Sequence, residues 1–84
     1  MINAYLFIHL NSKYSGENIL DDVRIIPQVI SAHRLYGSYD MVIYMETETT
    51  KELKDVTLES VRKLRFVEST VTFIALESYK VEKQ

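Results

Sequence analysis

In "AYLFIHL" (4–10) nearly every position is apolar, which predicts a strand covered on both faces. Ala4, Leu6, Ile8 and Leu10 line one face, and Tyr5, Phe7 and His9 the other. "NSKYSG" (11–16) carries turn residues. Ile19, Leu20, Val23 and Ile26 then recur at helical spacing, with Ser15 or Gly16 expected to cap the helix and Glu17 suited to its positive end. Pro27 stops it, because the residue before a proline is pushed out of helical geometry. "VISAHRLY" (29–36) reads as a second strand. Ser31, His33 and Arg34 make it the most polar one, which suits a sheet edge. "YDMVIYMET" (39–47) is a third, apolar on both faces, which suits a central position. Only Gly37 and Ser38 separate these two, a type II′ hairpin signal in which glycine supplies a positive φ.

A second helix is predicted near Thr49, which has capping-box spacing to Glu52. Leu53, Val56, Val61 and Leu64 form its apolar stripe, with Ser60 between them. The last strand, "ESTVTFIALES" (68–78), alternates Val71, Phe73 and Ala75 against Thr70, Thr72, Ile74 and Leu76. The order β-α-β-β-α-β predicts a ferredoxin-like α+β domain over residues 1–78: a four-stranded antiparallel sheet with both helices on one face. "YKVEKQ" (79–84) is expected to be a frayed charged tail. Both faces of strands one, three and four are apolar, so the pattern does not say which face meets the helices. Whichever does, the other needs cover. In a chain of 84 residues, whose own core is modest, a second copy packed sheet against sheet would supply it.

Composition narrows the function classes. There is no cysteine, so neither disulfides nor thiolate metal sites are available. Ten basic against twelve acidic residues give a net charge of −2, without the basic excess of a nucleic-acid binder. Arg62, Lys63 and Arg65, beside Glu59 and Glu68, read as the solvated side of a helix. No apolar run approaches the roughly 20 residues of a membrane span, and the N-terminus lacks a signal-peptide pattern, so a cytoplasmic location is the expectation.

"IIPQVISAHRLYGSYDMVIYMET" followed by "VRKLRFVESTVTFIAL" resembles the effector-binding RAM domain of the Lrp/AsnC transcription regulators. The shared features are an Ile-Pro-x-Val step, a Gly-x-Tyr-Asp corner and a Thr-x-Thr in the final strand, across about residues 3–77. Full-length members carry an N-terminal helix-turn-helix, whereas this sequence begins at strand one and so resembles the stand-alone RAM proteins. The resemblance implies a homodimer built by packing two sheets face to face, and assembly into a higher ring such as a tetramer of dimers. It also implies an amino acid effector at a subunit boundary, co-assembly with full-length regulators, and no direct DNA binding.

The resemblance places the effector near Tyr36, Gly37, Ser38, Tyr39 and Asp40. Chemically, backbone N–H groups at a tight glycine corner can receive a carboxylate, and Asp40 can accept a charged hydrogen bond from an ammonium group. The same residues also read as a plain hairpin with a solvated aspartate, and Tyr36 as edge packing. Thr70 and Thr72 share one face of the last strand, either through ordinary β-propensity or to offer hydroxyls to the effector. His9, His33 and Asp40 lack metal-ligand spacing, no serine sits in a nucleophile turn, and no cofactor is implied. Tyr5 and Phe7 do not reproduce RNA-binding strand motifs, and "NSKYSG" lacks the arginine of an acylphosphatase loop. Two classes remain: a non-enzymatic effector-binding and assembly module, or a small dimeric α/β-barrel enzyme with His9 or His33 as its acid or base.

Overall fold

The structure is a computed structural model that describes residues 1–14 and 18–81. In chain order the elements are β1 (Ile2–Leu10), a 3₁₀ turn (Ser12–Tyr14), α1 (Ile19–Arg24), β2 (Val29–Arg34) and β3 (Met41–Thr47). They are followed by α2 (Thr50–Val56), a π-helical turn (Thr57–Val61) and β4 (Val67–Ile74). The strands form one antiparallel sheet in the order β2-β3-β1-β4, so the polar β2 is an edge strand and β1 and β3 are central. This is the expected ferredoxin-like topology.

The structure assigns the faces. Ala4, Leu6 and Ile8 of β1 and Met41, Ile43 and Met45 of β3 are buried in one cluster with Ile19 and Val23 of α1 and Leu53 and Val56 of α2. Both helices therefore cover the aliphatic face. The opposite face carries Tyr5, Phe7 and His9, with Val42 and Val71 flanking Phe7 and Tyr44 and Phe73 flanking Tyr5. Tyr5 is 42% and Phe73 55% exposed, a contiguous aromatic surface that stays open among the described residues.

Several boundaries differ from the sequence reading. The expected caps Ser15 and Gly16 lie outside the described residues. Within them α1 starts at Ile19 after Asn18, whose side chain makes no capping hydrogen bond. Leu20, expected in the apolar stripe, is 39% exposed. β4 ends at Ile74, short of Ser78. The second helix begins as predicted: Thr49 Oγ1 accepts the Glu52 N–H at 3.1 Å, while Glu52 Oε1 reaches past the cap to the Glu48 N–H at 2.7 Å. It then passes into a π turn closed by the Arg62 N–H donating to the Thr57 carbonyl at 2.9 Å. The wider turn explains why Val56 is followed on the buried face by Val61 rather than by Ser60.

The corner between β2 and β3 is not a two-residue type II′ turn. β2 stops at Arg34, the Leu35 N–H donates to the Asp40 carbonyl at 2.8 Å, and Tyr36 to Tyr39 form a wider loop. Gly37 does not adopt a positive φ, and a Cβ placed on it would meet nothing within 4 Å. Tertiary contacts hold the loop instead. The Tyr39 ring stacks on His9 at 4.6 Å between centroids and lies 5.4 Å from Phe7, and the Asp40 N–H donates to the Ile8 carbonyl at 2.9 Å. Gly37→Ala is therefore expected to be neutral or stabilising by up to about 1 kcal/mol, through a less flexible unfolded chain. Thermal melts showing a clear loss of stability would mean that the loop needs glycine after all.

Candidate functional site

Asp40 is the most connected polar residue at the corner. Its Oδ2 accepts the Leu10 backbone N–H at 2.8 Å, where β1 leaves its register with β4 through an irregularity between His9 and Leu10. The same oxygen lies 3.9 Å from His9 Nδ1, and the side chain remains 47% exposed. One oxygen thus holds the end of β1, while Oδ1 has no hydrogen bond among the described residues. Asp40 forms, with Leu10, Asn11, Ser12 and Arg34, the wall of a concavity of about 280 Å³. A carboxylate fixed by one oxygen and open at the other can receive a cationic group without rearranging the backbone.

The other candidate residues are distributed unevenly around it. Tyr36, Gly37 and Ser38 are exposed, and Tyr36 is fully so. Tyr39 is folded onto the aromatic sheet face through His9 and Phe7. Thr70 and Thr72 pair with Ile8 and Leu6 and so face the helix side of β4. There they line a different concavity, a groove of about 410 Å³ between β4 and α2. Asp40 and the two threonines therefore do not share a wall within one chain.

The aromatic face includes a polar cluster that the alternation did not single out. The Tyr44 hydroxyl lies 3.0 Å from Glu46 Oε2 and 3.2 Å from Asn3 Oδ1, with the Tyr5 ring 5.0 Å away. Partial burial, then the hydrogen bond to Glu46 and its negative charge, raise the Tyr44 pKa above 10.0. A phenol whose folded pKa is raised contributes stability that is complete below the unfolded value of 10.0. That contribution is lost as pH rises through the folded value. Tyr44→Phe should accordingly flatten the alkaline limb of stability against pH above about 10. Identical alkaline limbs in denaturant titrations of the two proteins would remove Tyr44 from this role.

The two histidines lie apart from these concavities. His33 is exposed on the edge strand, His9 is stacked under Tyr39, and neither lines any of the four main concavities. No group of three or more metal-ligating side chains occurs among the described residues. No helix among them is long and apolar enough to cross a membrane.

The molecule is thus a βαββαβ sheet with one exposed aromatic face and a half-exposed carboxylate at its β2–β3 corner. The chain belongs to the Lrp/AsnC ligand binding domain family, whose model matches residues 3–84. Protein PHS023 of Pyrococcus horikoshii is 26% identical and superposes with a TM-score of 0.81, covering 94% of both chains. TTHA0845 of Thermus thermophilus is 27% identical with a TM-score of 0.84, covering 96% of this chain and all of its own. The transcriptional regulator NMB0573 of Neisseria meningitidis, solved with L-methionine, shares the fold with a TM-score of 0.86 at 18% identity. It matches 95% of this chain, which spans 53% of the regulator. Among curated proteins no match is found.

Proposed function

We propose that this protein is a non-enzymatic module that binds a free amino acid at the Asp40 corner and acts as an assembled dimer in amino-acid-responsive transcriptional regulation. The observation that carries the reading is the Asp40 carboxylate, anchored by Oδ2 to the Leu10 N–H and open at Oδ1 beside a small concavity. The ammonium group of the effector pairs with that oxygen, and the loop from Tyr36 to Tyr39 lies next to it. Thr70 and Thr72 line another concavity of the same chain, so they reach this ligand only from a neighbouring copy. The family is a ligand-binding one, and the structurally similar NMB0573 was solved with L-methionine, which supports an amino acid as the ligand class.

The aromatic face is the dimer surface in this reading. Tyr5 and Phe73 are exposed, with the half-buried Phe7 beside them, and a two-fold partner covers this patch with the same patch of its own sheet. Assembly of such dimers into a ring, or with full-length regulators of the same fold, extends the same role, in the cytoplasm and without direct DNA contact. Calorimetric titration of the protein with individual amino acids tests the effector claim. At least one is expected to bind saturably, and the absence of heat from every one of them would leave only the assembly role.

A further inference from the structure

Two opposite charges border the concavity at the Asp40 corner. Its wall is formed by Leu10, Asn11, Ser12, Arg34 and Asp40, so a guanidinium and a carboxylate share one space of about 280 Å³. The fold fixes where both side chains start. Arg34 is the last residue of β2 and pairs with Met41 of β3. Beside it the Leu35 N–H donates to the Asp40 carbonyl at 2.8 Å, and the Asp40 N–H donates to the Ile8 carbonyl at 2.9 Å. The neutral part of the wall is tied down as well. The Asn11 N–H donates to the Phe66 carbonyl at 2.8 Å, and Asn11 Oδ1 accepts the Lys13 N–H at 3.0 Å.

The two charges do not neutralise each other. Arg34 makes no ion pair among the described residues, with Asp40 or with any other acid. Asp21, which lies with Arg34 on the wall of a neighbouring concavity, is taken by Arg24 at 3.4 Å. On Asp40, Oδ2 accepts the Leu10 N–H at 2.8 Å and Oδ1 is open. One unpaired cation and one open carboxylate oxygen therefore border the same small space, with only uncharged residues completing its wall. A free amino acid carries the matching pair, an ammonium group and a carboxylate on one carbon. The guanidinium presents a planar fork of donors that fits a carboxylate with two parallel hydrogen bonds.

We propose that Arg34 recognises the carboxylate of the effector while Asp40 Oδ1 receives its ammonium group, so that this corner selects free amino acids over ligands with only one of the two charges. The inference rests on the reading of Asp40 as the ammonium acceptor and adds the residue that sets specificity at the other end. The space is at the small end of ligand sites, which run from about 300 Å³ upward. It therefore holds the polar end of the ligand, and the side chain projects from its mouth. An amino acid amide keeps the ammonium group but gives Arg34 no anion, and is disfavoured for that reason.

The test titrates each of the twenty amino acids into the wild type by calorimetry, and then takes the tightest-binding one and its amide into the wild type, Arg34→Gln and Asp40→Asn. Measurement at pH 6.5 keeps the ammonium group on both probes. Arg34 is exposed, so Arg34→Gln should fold, which circular dichroism checks. The wild type is expected to bind the acid about tenfold or more tightly than the amide, the scale of a charge-assisted hydrogen bond. Arg34→Gln should lose that factor for the acid and leave the amide unchanged, so the discrimination disappears. A merely structural role for Arg34 would weaken both probes alike. Equal binding of acid and amide by the wild type, or full discrimination retained in Arg34→Gln, would overturn the proposal. If Asp40→Asn weakens the acid and Arg34→Gln does not, the corner reading stands and the role of Arg34 falls. If no amino acid binds the wild type, both fall.

Discussion

Phe73→Glu should convert the protein to a monomer at micromolar concentration. Phe73 sits on the edge strand β4, paired with Tyr5 and with its ring edge-on to Phe7 at 5.8 Å, on the uncovered aromatic face. In a two-fold sheet-to-sheet dimer every substitution occurs twice, so two carboxylates enter one apolar interface. Burying an unpaired charge costs several kcal/mol, more than a single aromatic contact returns. Because Phe73 is 55% exposed within its own chain, the change acts on the interface before it acts on the fold. The monomer left behind has one sheet face in water and should melt at a lower temperature and with concentration-independent behaviour. Phe73→Leu, which keeps the face apolar, should keep the dimer. Sedimentation or light scattering on dilution checks both, and a Phe73→Glu protein that remains dimeric would place the interface elsewhere.

Asp40→Asn should weaken amino acid binding by roughly 1.5–3 kcal/mol, the usual scale for a hydrogen bond to a charged group, with little loss of stability. The two effects separate because the carboxylate has two roles. Oδ2 accepts the Leu10 N–H at 2.8 Å, and an asparagine carbonyl oxygen can do the same. Only the negative charge toward the ligand is lost. Asp40→Ala is a poorer probe. It strands the part-buried Leu10 N–H, which costs about 1–3 kcal/mol of stability on its own account. If Asp40→Asn binds the effector as tightly as the wild type, Asp40 serves only to hold the end of β1.

The alternation in 4–10 was enough to place a central strand, but not to orient it, because both of its faces are apolar. The difference lies in kind: Ala4, Leu6 and Ile8 pack under helices, whereas Tyr5, Phe7 and Tyr44 mix with Asn3, His9 and Glu46 on the other side. The Gly37–Ser38 pair misled as to turn type, since Tyr39 packing on His9 and Phe7, and Asp40 bonding to β1, are contacts that local sequence does not contain. The π turn was written in the five-residue step from Val56 to Val61. The solvated-face reading of the basic cluster holds for Lys63, paired with Glu59, and for Arg62, which is exposed where it borders the groove. Asp40 was legible as a candidate from residue type and position. Its separation from Thr70 and Thr72 depends on strand order and on which side of β4 each faces, and so needed the fold.

Native mass spectrometry of the wild-type protein, with and without a mixture of amino acids, reads assembly and bound mass in one experiment. Even-numbered assemblies that retain the added mass of an amino acid are expected. A monomer at micromolar concentration that carries no bound amino acid would contradict it.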